Sequence, residues 1–147
     1  MSSHPAEQKQ VKIKLNTSIF NDGEKETFEL TTFGRYYKKG NSFFLQYEET
    51  MEEGPIKSTM KVSDQEALLL RSGAINMRMV FQHNKKQQGR YETPYGTMGL
   101  VTRTKRLVSS VNADEKKGNI DILYDLTMHG SHAGTYHLEF VFEEEKG

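Results

Sequence analysis

The sequence predicts an all-β fold, a single up-and-down antiparallel barrel of about eight to ten strands. Apolar and polar residues alternate along most of the 147 residues, which is the period of a half-buried strand. No segment has convincing helical periodicity. Turn pairs containing glycine separate the alternating runs at hairpin spacing: Asp22 with Gly23, Gly40 with Asn41, and Ser72 with Gly73. A two-sheet sandwich is the alternative architecture for the same strands.

Composition limits the classes of function. It does not change along residues 1–147, so we expect one domain with a polar tail at residues 1–8 and a charged tail at 143–147. Lys and Arg total 20, as do Asp and Glu, and this balance argues against nucleic-acid binding. Cysteine is absent, which excludes disulfides, a thiol nucleophile and thiolate metal sites. Without an apolar leader or a run of roughly 20 apolar residues, we expect a cytoplasmic protein that does not contact membranes.

The first hairpins have mutually consistent registers. A two-residue loop in the first hairpin places Leu15 opposite Leu30, and a similar loop in the second places Gly34 opposite Tyr47. A glutamate-rich turn leads to a fourth strand, in which Met60 faces Tyr47. One face of these strands is mostly apolar, so it is the predicted inner face, although Thr17, Thr32, Gly34, Glu49 and Ser58 interrupt it.

Residues 63–71 fit either a short helix or a strand, since a serine and a glutamate have the spacing of a capping box. We interpret the segment as a strand, because a loop at the Ser-Gly pair that follows would place Leu70 opposite Ile75. That register directs Leu68 and Leu70 inward and Arg71 outward.

A segment of unusual composition, TPYGTMGLVTRT, occupies residues 93–104. It predicts a proline-containing turn followed by a long strand, residues 97–111. The alternation does not decide which face of this strand points inward. The two candidate inward sets are Met98, Leu100, Thr102 and Thr104, or Val101, Arg103, Lys105 and Leu107. The threonine set is cheaper to bury, because an unpaired inward cation costs several kcal/mol. A bulge at Gly99 would exchange the faces partway along.

The last hairpin has the clearest alternation in the chain. Pairing Leu126 with Tyr136 keeps its apolar faces together and places Asp125 opposite His137. Such a pair could orient a general base, but no nucleophile accompanies it, and an exposed cross-strand ion pair explains it equally well. His129, His132 and His137 cluster around the last turn, and a pair of them with Asp125 would suffice for a weak divalent-metal site, but a flexible glycine-rich turn does not preorganise metal ligands. We therefore expect no catalytic residues, metal or cofactor.

The run TPYGTMGL-x-TRT, with Arg71-Ser72-Gly73 and Met79-Val80-Phe81 upstream, resembles a small bacterial family, the YwiB-like proteins. The likeness extends over nearly the whole chain. That family is classed among the calycin-like barrels, so the resemblance implies a lipocalin-type or fatty-acid-binding-type barrel. It implies no activity.

A ligand inside the barrel is the leading functional hypothesis. Barrels of eight or more strands can enclose a cavity, and a few polar groups in an apolar lumen orient a small molecule. We expect a continuous cavity that binds a small apolar or amphipathic ligand. The expected lining residues are Tyr36, Tyr47, Glu49, Met60, Met77, Met79, Thr102, Thr104, Tyr124 and Tyr136.

The alternative is a non-catalytic interaction module whose basic outer face contacts RNA or an acidic protein partner. Its candidate residues are Arg71, Arg78, Arg103, Lys105 and Arg106. An acidic counterpart at Glu48, Glu49, Glu52 and Glu53 would also permit a self-complementary homodimer.

Overall fold

The structure, a computed structural model, describes residues 8–112, 114 and 116–145. These residues form ten β-strands. They are β1 (Lys9–Asn21), β2 (Glu24–Lys39), β3 (Ser42–Met51), β4 (Gly54–Val62), β5 (Glu66–Gly73), β6 (Asn76–Gln82), β7 (Lys86–Thr93), β8 (Gly96–Asn112), β9 (Lys117–Met128) and β10 (Ser131–Glu144).

Each strand pairs antiparallel with the next, and β1 pairs with β10 to close the barrel. The predicted all-β, up-and-down barrel is therefore confirmed. The polar residues 86–89 belong to β7. No helix long and apolar enough to span a membrane occurs in the described part of the chain.

The registers of the first two hairpins are confirmed, with Leu15 opposite Leu30 and Gly34 opposite Tyr47. The third hairpin keeps the predicted faces but not the predicted register, because Tyr47 lies opposite Ser58 rather than Met60. Its turn is shorter than expected: β3 continues to Met51, and Gly54 already pairs with it at a φ of +131°, a conformation that favours glycine.

Residues 66–73 form a strand, as predicted, but their faces are exchanged. Leu70 lies opposite Arg78 rather than Ile75, because Ile75 is buried at the end of the barrel instead of pairing. Leu69 is therefore buried, whereas Leu70 is 41% exposed. The prediction that Arg71 faces outward is wrong, since Arg71 shares the inner face with Leu69.

Strand β8 turns its threonines inward, as expected from the cost of burying a cation. Thr102 and Thr104 are each 1% exposed. The alternative of a bulge at Gly99 does not occur, because Gly99 pairs in register with β7. The register shifts instead between Thr104 and Arg106, and this bulge turns Leu107 toward the core.

The last hairpin is shifted from its predicted register. A bulge between His132 and Gly134 places Tyr136 opposite Tyr124 rather than Leu126. Consequently Asp125 lies opposite Thr135, and the predicted pairing of Asp125 with His137 is wrong.

The centre of the barrel is closely packed. Nine of its side chains are at most 2% exposed: Ile13, Leu45, Met60, Leu69, Phe81, Leu100, Ile122, Tyr124 and Phe140. The rings of Phe81 and Tyr124 lie 4.7 Å apart. A lumen wide enough for water would leave these side chains accessible from inside. The expected continuous cavity is therefore wrong at the centre, where side chains fill the barrel.

Candidate functional site

The barrel has two chemically different ends. In an up-and-down barrel alternate turns lie at opposite ends. The turns that follow β1, β3, β5, β7 and β9 form one end, which we call the loop end. The start of β1, the end of β10 and the remaining turns form the other, which we call the terminus end.

The terminus end contains a cleft of about 270 Å³. It lies where β1, β2, β8, β9 and β10 meet, because the inward alternation of these strands continues to their ends. Its lining residues are Lys9, Val11, Tyr36, Lys38, Val111, Asn112, Lys116, Lys117, Phe142 and Glu144. At about 30 Å³ per water molecule, the volume corresponds to roughly nine waters, enough for a small organic molecule.

The floor of this cleft is aromatic. Tyr36 stacks on Phe142 with ring centroids 5.5 Å apart and planes inclined by 24°. Phe43 packs against both rings, at 5.7 Å and 6.0 Å. Burial raises the pKa of Tyr36, so its hydroxyl stays protonated at neutral pH and can donate a hydrogen bond. The floor thus offers flat apolar surface with one polar group.

Cations dominate the rim. Four lysines and one glutamate line the cleft, and the Lys9 ammonium lies 3.8 Å from Glu144. Lys38 and Lys116 are exposed, and no ion pair links either to another described residue. The Glu144 amide donates to the Lys116 carbonyl at 2.8 Å, which fixes the rim. The excess of positive charge favours an anionic group above the aromatic floor.

The loop end has an ion pair on its inner wall. The Arg71 guanidinium lies 3.5 Å from Glu49, and these side chains are only 18% and 15% exposed. Ser58 Oγ donates to Glu49 at 3.4 Å. Tyr47 Oη and Arg71 Nε are buried without a hydrogen-bond partner among the described residues. Burial raises the pKa of Tyr47, against the opposing effect of the Arg71 charge, so its hydroxyl stays neutral.

The predicted lumen residues divide into three groups. Six are buried at the centre: Tyr47, Met60, Met79, Thr102, Thr104 and Tyr124. Three lie half-buried toward the loop end: Glu49, Met77 and Tyr136. Tyr36 alone lines the terminus-end cleft. The structure thus brings Tyr47 and Glu49 together but separates them from Tyr36.

The two central threonines differ in hydrogen bonding. Thr102 Oγ1 donates to the carbonyl of Val80 at 2.6 Å. Thr104 Oγ1 is buried without a partner in the described structure. Tyr124 stacks on Tyr136 at 5.4 Å, and burial, followed by the neighbouring Tyr136, raises the pKa of Tyr124. These hydroxyls therefore add no charge to the core.

The predicted basic outer face is not continuous. Arg71 lies inside the barrel, as described above. Lys105 lies 3.3 Å from Asp125, and Arg106 lies 2.9 Å from Asp121. Of the predicted set, Arg78 and Arg103 remain on the outer face without a described ion pair.

An acid and histidine cluster lies on the outside of β9 and β10. Asp121, His137 and Glu139 are close enough together to hold a metal ion. His137 Nε2 lies 3.1 Å from Asp121 Oδ1, but Arg106 Nε donates to the same oxygen at 2.9 Å. Because a cation already occupies that carboxylate, the geometry is that of an ion-pair network.

Asp125 is held by different partners from the one predicted. Thr135 Oγ1 donates to it at 2.6 Å, and Lys105 forms its ion pair. Burial alone would raise the pKa of Asp125, but these hydrogen bonds and the Lys105 charge outweigh it, so the pKa is lowered. A carboxylate that stays ionised and paired is suited to a structural role rather than to proton transfer.

The cleft residues other than Tyr36 were not predicted from the sequence. The alternation did contain a signal for two of them. Lys9 lies two residues from the inward-facing Val11, and Lys38 lies two residues from Tyr36, so each is on the inner face of its strand. Lysines at strand ends are, however, usually solvated, and only barrel closure brings these positions together.

Comparison with known proteins gives a consistent result. The profile of a family described as "Domain of unknown function (DUF1934)" matches residues 13–140. The chain is 32% identical over 133 residues to the uncharacterized beta-barrel protein YwiB of Bacillus subtilis (strain 168), covering 90% of this chain and 92% of that protein. The crystal structure of the Bacillus subtilis ywiB protein matches with a TM-score of 0.85 and 32% identity, covering 95% of this chain and 94% of that one. The chain therefore belongs to the DUF1934 family of YwiB-like β-barrel proteins.

Proposed function

We propose that this protein binds a small amphipathic ligand, and that the terminus-end cleft is the site. The observation that supports this is the cleft itself, about 270 Å³ with a stacked aromatic floor and a lysine-rich rim. An apolar surface with a few polar groups around it is the usual composition of a small-molecule site.

The apolar part of the ligand packs on Tyr36 and Phe142. Their stacked rings favour a flat or short aliphatic group. The closely packed centre of the barrel limits how far such a group can penetrate. The expected ligand is therefore short, with one or two rings or a medium acyl chain.

The polar part of the ligand is a single negative charge, because lysines outnumber acids around the cleft. Lys38 and Lys116 are the closest candidates to bind it, since Lys9 is already paired with Glu144. Exposed charge pairs contribute about 0.2–1 kcal/mol each, so each lysine contributes up to about fivefold in affinity.

The test measures binding of naphthoate and of octanoate by protein NMR, each against its neutral amide. We expect both acids to shift the resonances of Tyr36 and Phe142, and to bind more tightly than their amides. The difference between acid and amide should shrink at high ionic strength, because salt screens exposed charges.

Lys38→Gln and Lys116→Gln should each weaken acid binding by about threefold to fivefold and leave amide binding unchanged. Lys12→Gln is the matched control, since Lys12 is exposed on the outer face of β1. Equal affinity for acid and amide, or an equal effect of the control variant, would contradict the anionic ligand. Absence of all binding at millimolar concentrations would contradict the proposed function.

A further inference from the structure

The barrel wall is open along part of one seam. Strands β2 and β3 pair only from Gly34 with Tyr47 to Lys39 with Ser42. The preceding residues of β2, 24–33, pair with β1 on one side and have no backbone pairing with a described strand on the other; Thr32 Oγ1 donates to the Glu48 carbonyl across the gap at 3.4 Å. Residues 48–51 of β3 likewise pair only with β4. We call this gap the β2–β3 seam.

The seam leaves backbone and side chains accessible. All residues from 24 to 29 are exposed. Phe28 is on the inner face of β2 and is nevertheless 54% exposed, and Phe33 on the outer face is 64% exposed. The free edge of such a strand presents unpaired N–H and C=O groups, which an additional strand can bind.

The charge along the seam is acidic. The free part of β2 carries Glu24, Glu26 and Glu29, and the facing end of β3 and its turn carry Glu48, Glu52 and Glu53. Lys25 is the single cation of residues 24–33, and its ammonium lies 5.5 Å from the ring centroid of Phe20. An acidic edge repels a second copy of itself and attracts a basic segment.

The two faces of β2 specify the pattern of a complementary strand. The inner face presents Glu24 and Glu26 followed by Phe28 and Leu30. An antiparallel strand would therefore place apolar residues opposite Leu30 and Phe28, then basic residues opposite Glu26 and Glu24.

At the point where the strands diverge lies a groove of about 470 Å³, lined in part by Phe33, Gly34 and Gln46 and also by the cations Arg35 and Lys57, so it suits an apolar rather than a basic side chain. This groove can take a side chain from the first residues of an added strand.

We propose that residues 24–33 accept an extended basic segment of a partner protein as an added antiparallel strand. Backbone hydrogen bonds supply affinity, and the two glutamates with the two apolar side chains supply selectivity. The site lies toward the loop end and is independent of the terminus-end cleft. An edge of this length is smaller than a standard protein interface, so the association is weak and transient.

The test uses full-length protein and a labelled peptide, Val-Lys-Val-Thr-Lys-Thr-Lys, with Val-Glu-Val-Thr-Glu-Thr-Glu as the comparison. We expect binding of the basic peptide at micromolar concentrations and none of the acidic one. Hydrogen exchange should show new protection of backbone amides within residues 24–33, since their free N–H groups become hydrogen-bonded.

The double variant Glu26→Lys with Glu29→Lys should weaken binding of the basic peptide by about tenfold or more. The matched control is Glu66→Lys with Glu143→Lys, which makes the same charge change at exposed positions outside the seam. The control variant should bind within about twofold of the wild-type protein.

Equal binding of both peptides would overturn the proposal, as would protection confined to other strands or an equal loss in the control variant. A dimer in native mass spectrometry, with the same amides protected from hydrogen exchange in the absence of peptide, would also overturn the proposal. The strand bound at the seam would then belong to a second copy of the protein.

Discussion

Replacing Arg71 tests both the inner-face assignment of β5 and the ion pair at the loop end. In this structure the substitution Arg71→Leu leaves the Glu49 carboxylate on the inner wall without its cation. Had Arg71 faced outward, the same change would alter stability by no more than about 0.5 kcal/mol. The two orientations therefore predict clearly different results.

The expected magnitude follows from the geometry. At 3.5 Å and an effective dielectric constant of about 20, the attraction between the two charges is about 5 kcal/mol. Desolvation of both groups cancels part of this attraction, and breaking a buried pair costs about 3–5 kcal/mol. Because both side chains retain some contact with solvent, we expect Arg71→Leu to lower the free energy of unfolding by about 3 kcal/mol.

The assay is urea unfolding followed by circular dichroism, with the midpoint and slope measured for each variant. A double-mutant cycle with Glu49→Leu should give a coupling energy of about 2 kcal/mol, since the double variant removes both charges together. Arg78→Leu is the control, because Arg78 lies exposed on the outer face of the adjacent strand. That control should change stability by about 0.5 kcal/mol or less.

Two results would refute the reasoning. A free energy of unfolding for Arg71→Leu equal to that of Arg78→Leu would mean that Arg71 is not held inside the barrel. Strictly additive effects of Arg71→Leu and Glu49→Leu would mean that the two charges do not interact.

Two further pairs of substitutions predict opposite outcomes at neighbouring or similar positions. Thr104→Val should stabilise the barrel by about 1 kcal/mol, because it removes a buried hydroxyl that has no partner among the described residues. Thr102→Val should destabilise it by about 1 kcal/mol, because the hydrogen bond to the Val80 carbonyl is lost. If thermal unfolding showed both substitutions changing stability in the same direction, the assigned hydrogen bonding would be contradicted. Gly34→Ala should lower the free energy of unfolding by about 1–3 kcal/mol, because the added Cβ would collide with a backbone carbonyl of β3. The Cβ added by Gly99→Ala contacts no atom, so this substitution should be neutral or raise stability by up to about 1 kcal/mol. Urea unfolding in which Gly34→Ala is as stable as the wild-type protein would contradict the close contact.

The first two hairpins could be predicted because their loops contain two residues and fix the register. The flip in β5 could not, because Leu68, Leu69 and Leu70 are all apolar and alternation does not distinguish their faces. The prediction then depended on the following loop, and burial of Ile75 lengthened that loop.

In strand β8, the free-energy cost of burying a charged side chain predicts the inward face better than the alternation of apolar residues does. Its apolar residues fit either face, but the cost of burying Arg103 and Lys105 correctly selected the threonine face. The bulge after Thr104 could not be located from the sequence, since no glycine or proline marks it. Local sequence carries little information about a bulge that fits one strand to two neighbours.

The candidate site was the least predictable feature. The cleft forms where the first two strands meet the last three, so its lining depends on contacts between distant parts of the chain. The sequence did predict an aromatic wall at Tyr36. Recognising the lysine rim would have required knowing that the alternation continues to the strand ends.

The closeness of the two ends of the barrel chain has a consequence for connectivity. Strands β1 and β10 are neighbours, and the Glu145 amide donates to the Gln10 carbonyl at 2.9 Å. A short linker could therefore join these ends, and the chain could be reopened at the exposed turn of Glu52 and Glu53 with every strand pair retained. In such a circular permutant the pairing of β1 with β10 would become a local hairpin, and that of β3 with β4 would become the distant closure. The order in which the wall assembles would then change while its architecture stayed the same.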